Sequence, residues 1–175
     1  MSNEVKNPGR RRLLVGGAVL TVSGAACSLL PSRSASANSP PGPIIYPSNR
    51  IGNLKDLQVD IPIQITYPDA TSPGILLKLG NPVEGGVGPH QDIVAFSTLC
   101  PHKGVRLNYV AADKSLNCEA HQSRFDCEKG GQEIWGHATQ NLPQFKLRVD
   151  HHGDVFAEGV DELIYGRLSN VLTAI

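Results

Sequence analysis

The sequence predicts an antiparallel all-β domain, on three observations. Eighteen Gly and 13 Pro stand against an aromatic content of only 5%, a composition that favours turns and extended segments over a helical bundle. Over residues 59–67 the pattern alternates: Val59, Ile61, Ile63, Ile65 and Tyr67 fall on one face, and Asp60, Pro62, Gln64 and Thr66 on the other. That is the period of a half-buried strand. No helical period persists over a useful length.

Each element can be placed in turn. Residues 36–48 are rich in Ser and Pro and form an extended lead-in. A single helical turn is expected around Leu54. Pro62 offers no N–H to a ladder, so the 59–67 strand belongs at a sheet edge or a bulge. Further strands are expected at 75–79, 93–97, 115–118, 145–149 and 154–157. Gly85-Gly86-Val87-Gly88-Pro89 is a loop, and 150–153 is a hairpin turn. There is no internal repeat.

The amino-terminal segment differs in kind. Arg10-Arg11-Arg12-Leu13-Leu14 is a twin-arginine pattern, followed by an uncharged stretch over 13–30 and by Ala35-Ser36-Ala37, small residues of the A-x-A kind. Residues 1–37 thus form a bacterial twin-arginine export signal, with periplasmic delivery as its consequence, and 38–175 form the mature domain. The alternative is a retained membrane anchor, for which 13–30 is of minimal length and diluted by Gly and Ala. Cys27 raises lipidation, but Gly24 rather than Leu stands three residues before it. The export route carries folded proteins, which suits a cofactor inserted before export.

Charge excludes one class of partner. The chain has 16 basic and 16 acidic residues; residues 1–37 hold five of the former and one of the latter, leaving a mature domain of net charge −4. No basic stripe remains for nucleic acid.

Two Cys–His pairs carry the chemistry. Cys100-Pro101-His102 is C-x-H, and Cys118-Glu119-Ala120-His121 is C-x-x-H, with fifteen residues between the pairs. Each pair stands at the end of an expected strand, so a sheet can bring four donors to one point. Tetrahedral zinc is the competing reading, but zinc sites normally pair Cys with Cys and His with His, two or more residues apart. The C-x-H step suits instead a [2Fe–2S] cluster with two thiolates on one iron and two imidazoles on the other. Neutral imidazoles leave such a cluster less negative and easier to reduce.

The run C-x-H-x15-C-x2-H, followed by Ser123, resembles the Rieske family. The resemblance implies an all-β fold: an antiparallel β sandwich or barrel base domain with an inserted, smaller cluster-binding subdomain, here about 96–143. It implies that Cys100 and Cys118 hold the inner iron and His102 and His121 the outer one. It also implies that Ser123 donates a hydroxyl hydrogen bond to a bridging sulfide. High-potential relatives add a Tyr donor where this chain has Phe125, so the potential is expected above Rieske ferredoxins and below relatives with both donors. Relatives in cytochrome bc complexes tie the two loops with a disulfide; the matching positions here are Val105 and Ala120. Cys127 is expected to be a small buried residue. Lys103 is read as solvated, with a partner contact as the alternative. His90, His137, His151 and His152 are read as surface or turn residues.

Within the family, the sequence resembles the small subunit of arsenite oxidase. The resemblance rests on Leu76-Leu77-Lys78-Leu79-Gly80, Pro82-Val83-Glu84-Gly85-Gly86-Val87-Gly88-Pro89, Asp92-Ile93-Val94, Phe96-Ser97 and Cys100-Pro101-His102-Lys103-Gly104. It implies a large partner subunit carrying molybdopterin and a [3Fe–4S] cluster that oxidises arsenite to arsenate. Electrons would pass through this chain to azurin or cytochrome c. Nothing in this chain would act on the substrate. The alternatives are a subunit of a cytochrome bc-type complex and a free periplasmic carrier.

Without the inter-loop disulfide, packing and metal bonds alone hold the loops. Introducing Val105→Cys together with Ala120→Cys, oxidised to the bridge, is expected to raise the temperature at which visible absorbance bleaches. Unchanged bleaching with the bridge formed would contradict this.

Overall fold

The computed structural model describes residues 44–172. The expected export signal at 1–37, Cys27 and most of the lead-in lie outside the described residues. The strands are β1 (Asn49–Asn53), β2 (Ile63–Thr66), β3 (Pro73–Lys78), β4 (Ile93–Ser97), β5 (Asn108–Val110), β6 (Ser115–Asn117), β7 (Arg124–Asp126), β8 (Gln132–Trp135), β9 (Phe145–Val149) and β10 (Asp154–Val160). They form three antiparallel sheets, ordered β1-β10-β9, β2-β3-β4 and β5-β6-β7-β8. The all-β expectation therefore holds. Among the described residues no helix is long and apolar enough to cross a membrane.

Strands β3 and β4 organise the molecule because both of their faces are buried. Leu76, Ile93 and Ala95 point into a core shared with Tyr67, Phe145, Val155, Ala157 and Ile164. Ile75, Leu77, Val94 and Phe96 point the other way, into a second core with Leu116, Phe125, Leu142 and three cysteines, Cys100, Cys118 and Cys127. Their sequences, PGILLK and IVAFS, are accordingly near-continuous apolar runs rather than alternating ones. The first core belongs to the two three-stranded sheets. The second joins them to the four-stranded sheet, which lies between β4 and β9 in sequence.

The structure confirms strands at 93–97 and 145–149, extends the one expected at 154–157 to Val160, and places those expected at 75–79 and 115–118 at Pro73–Lys78 and Ser115–Asn117. The hairpin over 150–153 is present, with the Asp150 carboxylate accepting from the amides of His152 and Asp154 at 2.9 Å. A 3-10 turn occupies Leu54–Asp56. The 59–67 strand is shorter than expected. It runs only over Ile63–Thr66, at the edge that Pro62 called for. Asp60 takes φ +60° and turns the chain, so Val59 makes only an isolated bridge and Val59 and Ile61 stay about half exposed. Strands β1, β5, β7 and β8 were not expected. They are three to five residues long and largely polar, and neighbouring strands rather than periodicity define them.

A polar latch fixes the four-stranded sheet to the base. Lys114, in the β5–β6 turn at φ +49°, donates to both Asp60 carboxylate oxygens at 2.8 and 3.0 Å and to the Leu79 carbonyl at 2.6 Å. The Tyr109 hydroxyl donates to the same carboxylate at 2.8 Å. The Lys114 ammonium holds the Asp60 carboxyl below the usual carboxylate range, with Tyr109 assisting, against a smaller upward push from burial. Folding lowers this pKa, so the contribution is full above the unfolded value of about 3.9 and is lost as pH falls through the folded value. Asp60→Asn preserves the left-handed backbone, which Asn tolerates. We expect it to cost about 2 kcal/mol in denaturant unfolding at pH 7, on the scale of a charge-assisted hydrogen bond. The gap to wild type should close as pH falls below about 4.

Candidate metal centre

Two loops of the same construction face each other at one end of the molecule. In the loop after β4, the Cys100 amide donates to the Val105 carbonyl at 2.9 Å, and the Cys100 carbonyl accepts from the Gly104 amide at 2.7 Å. In the loop between β6 and β7, the Cys118 amide donates to the Ser123 carbonyl at 2.8 Å, and the Cys118 carbonyl accepts from the Gln122 amide at 2.9 Å. Each cysteine is thus bracketed by residues four and five positions on. The residue four on has positive φ in both cases, +68° at Gly104 and +65° at Gln122. Gln122 is a non-glycine residue in a region that costs it energy, which marks a loop shape imposed by its surroundings. The first loop is closed at its base by the bridge between Leu99 and Arg106 and by the Leu107 amide donating to the Thr98 carbonyl.

The four predicted donors meet at the loop tips in two pairs. Cys100 and Cys118 are buried free thiols in the second core. Burial pushes the Cys100 thiol up, and Cys118 beside it pushes in the same direction. The backbone amides of His102 and Lys103, which donate to the sulfur, pull it back down. The imidazoles lie on the outer side, with ring centroids of His102 and His121 4.8 Å apart and nearly perpendicular. His121 is exposed and His102 half-buried. Nδ1 of His102 is buried with no hydrogen-bond partner. Burial, then the nearby His121, Lys103 and His137, lower the His102 pKa, favouring the neutral ring that a metal ligand requires.

These observations fit a two-iron cluster. The donor set suits it: two neighbouring buried thiols and a buried imidazole nitrogen without a hydrogen-bond partner are what a [2Fe–2S] centre with two thiolates at one iron and two imidazoles at the other would take up. The two thiols lie inward and the two imidazoles outward, a division that the two irons of one cluster would use.

A third loop completes the surroundings. Ser123 is fully buried, and its Oγ accepts the amides of His137 at 3.0 Å and Ala138 at 2.9 Å. The hydroxyl hydrogen is left to donate elsewhere, and among the described residues it has no acceptor. The close approach depends on Gly136 at φ +110°, where a Cβ would stand 2.3 Å from Cα of Ser123. Phe125 is fully buried in the core that holds Cys100 and Cys118. Cys127 is buried as well, and burial pushes its thiol far up, so it stays protonated. Lys103 is exposed.

His137 has neighbours that the sequence did not indicate. It is exposed, as expected of a surface residue, but its ring stacks beside His102 at 5.8 Å and stands 6.3 Å from His121. No spacing rule could reveal this, because a third loop brings it in through the Ser123 bonds. His90, His151 and His152 are exposed, and the last two pair with each other.

The family model of the Rieske [2Fe-2S] domain matches residues 75–146. The chain is 40% identical over 167 residues to the iodate reductase subunit IdrB of Denitromonas iodatirespirans, spanning 92% of this chain and 85% of that one. It is 40% identical over 124 residues to the subunit of the same name from Pseudomonas sp. strain SCT, spanning 69% and 64% of the two chains. Among solved structures, the soluble domain of Rieske protein II (soxF) from Sulfolobus acidocaldarius superposes with a TM-score of 0.59 at 25% identity. That match covers 66% of this chain and 78% of that one.

Donors to cluster sulfur stabilise the reduced state and raise the potential. Ser123→Ala is therefore expected to lower the potential measured by voltammetry and to speed hydrogen exchange at the His137 and Ala138 amides. Phe125→Tyr is expected to raise the potential. An unchanged potential in both variants would count against sulfur-directed tuning at this site.

Proposed function

The chain belongs to the Rieske [2Fe–2S] family, and from that premise we propose that it is the electron-relay subunit of an exported molybdopterin oxidoreductase, with arsenite as the substrate of its large partner subunit. The observation that carries the relay role is the paired loops, which bury the thiols and leave His121 exposed and His102 half-buried on the outer side. The cluster supplies reversible uptake of one electron at a time. Cys100 and Cys118 would hold one of its irons from the low-dielectric core. His102 and His121 would hold the other on the outer side of the two loops. Ser123, whose Oγ accepts the His137 and Ala138 amides, would have its hydroxyl hydrogen left to donate to a cluster sulfur. In this reading the chain relays electrons and the substrate chemistry belongs to its large partner.

In this reading the large subunit carries molybdopterin and a [3Fe–4S] cluster and oxidises arsenite to arsenate. Its electrons leave through this chain to azurin or cytochrome c. Residues 1–37 direct export by the twin-arginine route, so the complex works in the periplasm. The resemblance of the 76–104 run to the arsenite oxidase small subunit supports this. Val105 and Ala120, where relatives in bc complexes have cysteines, set the chain apart from that class.

A second reading is favoured by the identity to the iodate reductase subunits over most of the chain. Electrons would then run the other way, from a reduced donor through this chain to a catalytic subunit that reduces iodate. The relay residues would be the same, because direction is set by the potentials at either end.

Purification of the native complex separates these readings. We expect the chain to co-purify with a large molybdenum-containing subunit, and arsenite to reduce added cytochrome c in its presence. Iodate-dependent oxidation of the reduced complex without arsenite activity would establish the second reading. Elution of the chain alone or with a cytochrome b would overturn both.

A further inference from the structure

The segment after β10 returns to the cluster end. It is pinned along its length. Ile164 is fully buried in the base core, and its amide donates to Oδ1 of Asn170 at 2.8 Å. Asn170, itself buried, donates from Nδ2 to the Glu162 carbonyl at 2.8 Å and to the Tyr46 hydroxyl at 3.0 Å. Arg167 reaches back to the β2–β3 turn, pairing with both Asp69 oxygens at 2.6 and 2.9 Å and with the Thr71 hydroxyl at 2.8 Å. Its guanidinium holds the Asp69 carboxyl well below the usual carboxylate range.

The ring of Tyr165 lies between these anchors and rests on the first ligand loop. A Cβ built on Gly104 would come within 2.5 Å of both Cδ1 and Cε1 of Tyr165. The ring therefore sits directly on the Gly104 backbone, and only glycine allows the contact. Gly104 is no neutral part of that loop: its amide donates to the Cys100 carbonyl, and it stands two residues from His102. Leu99, one residue before Cys100, lines the same groove as Tyr165 and Arg167. Pressure on Gly104 is thus pressure on the turn that sets the position of Cys100.

We propose that residues 162–171 form a strap whose Tyr165 ring is a positioning residue, holding the first ligand loop closed against the second from outside. It supplies the restraint that Val105 and Ala120, in place of bridging cysteines, cannot supply from within. The contact is made through ring carbons, so it needs the ring and not the hydroxyl. Arg167 acts one step further away, by anchoring the strap to Asp69. The inference rests on Cys100 and His102 being cluster ligands. A wild-type protein without the [2Fe–2S] chromophore would remove that premise before any variant is made.

The test compares the full-length, cluster-loaded protein with Tyr165→Ala, Tyr165→Phe and Arg167→Ala. In excess iron chelator, Tyr165→Ala is expected to lose the visible circular dichroism of the cluster several-fold faster than wild type while far-ultraviolet dichroism is unchanged. Its reduced-state paramagnetic resonance should show an altered spread of g values, and exchange at the Gly104 amide should quicken. Tyr165→Phe should match wild type in all three, and Arg167→Ala should shift them in the same direction as Tyr165→Ala. Three outcomes would overturn the proposal: cluster retention in Tyr165→Ala equal to wild type, loss of cluster and fold together, or failure of Tyr165→Phe to restore retention.

Discussion

The amide of each ligand cysteine donates across its own loop to the residue five positions on, and its carbonyl accepts from the residue four positions on. These four backbone bonds are the constraint on which the cluster end depends. They fix the main chain around Cys100 and Cys118 without using the sulfurs. Both thiols remain free to face inward while the histidines two and three residues on emerge outward. The two loops differ in chemistry but not in bonding. One has glycine at the left-handed position and the other Gln122, for which the surrounding packing must offset the strain.

The loops hold this shape because of what lies beneath them. Strand β4 feeds the first directly, and β6 and β7 carry the second. The core between them is shared: Val94 and Phe96 from the base meet Leu116 and Phe125 from the small sheet around the three cysteines. An apolar core is non-directional and would tolerate a small slide of one sheet over the other. The Lys114–Asp60–Tyr109 latch is directional, and its geometry denies that slide. Register between the loops is therefore set by hydrogen bonds at one edge of the interface and by packing across the rest of it.

The sequence made the four candidate ligands legible by type and spacing, and left the contacts that support their loops hidden. Ligand chemistry depends on residue type and spacing, and both are printed in Cys100, His102, Cys118 and His121. The buried strands β3 and β4 were legible for the same local reason, since apolar runs bounded by Gly and Pro leave few other readings. Strands β5, β7 and β8 carry no such signal; NYV, RFD and QEIW become strands only because their neighbours pair with them. The overlong 59–67 strand failed at Asp60, where a tertiary ion pair stabilises a backbone turn that alternation alone cannot foresee. His137 and Tyr165 were missed because each reaches the site from a different loop, through contacts with Ser123 and Gly104 that no sequence separation encodes.

Buried and exposed residues occupy opposite sides of the cluster end. Ser123 and Phe125 are fully buried on the cysteine side, where low dielectric magnifies the effect of each dipole on the charge of a reduced centre. His121 is exposed and His102 half-buried on the outer side, with the exposed His137 beside them. Substitutions in the interior should thus change driving force without altering how a partner docks, and substitutions at the rim should do the reverse. Because Ser123 and Phe125 lie in the interior, the same outer imidazoles would serve an oxidative or a reductive partner alike.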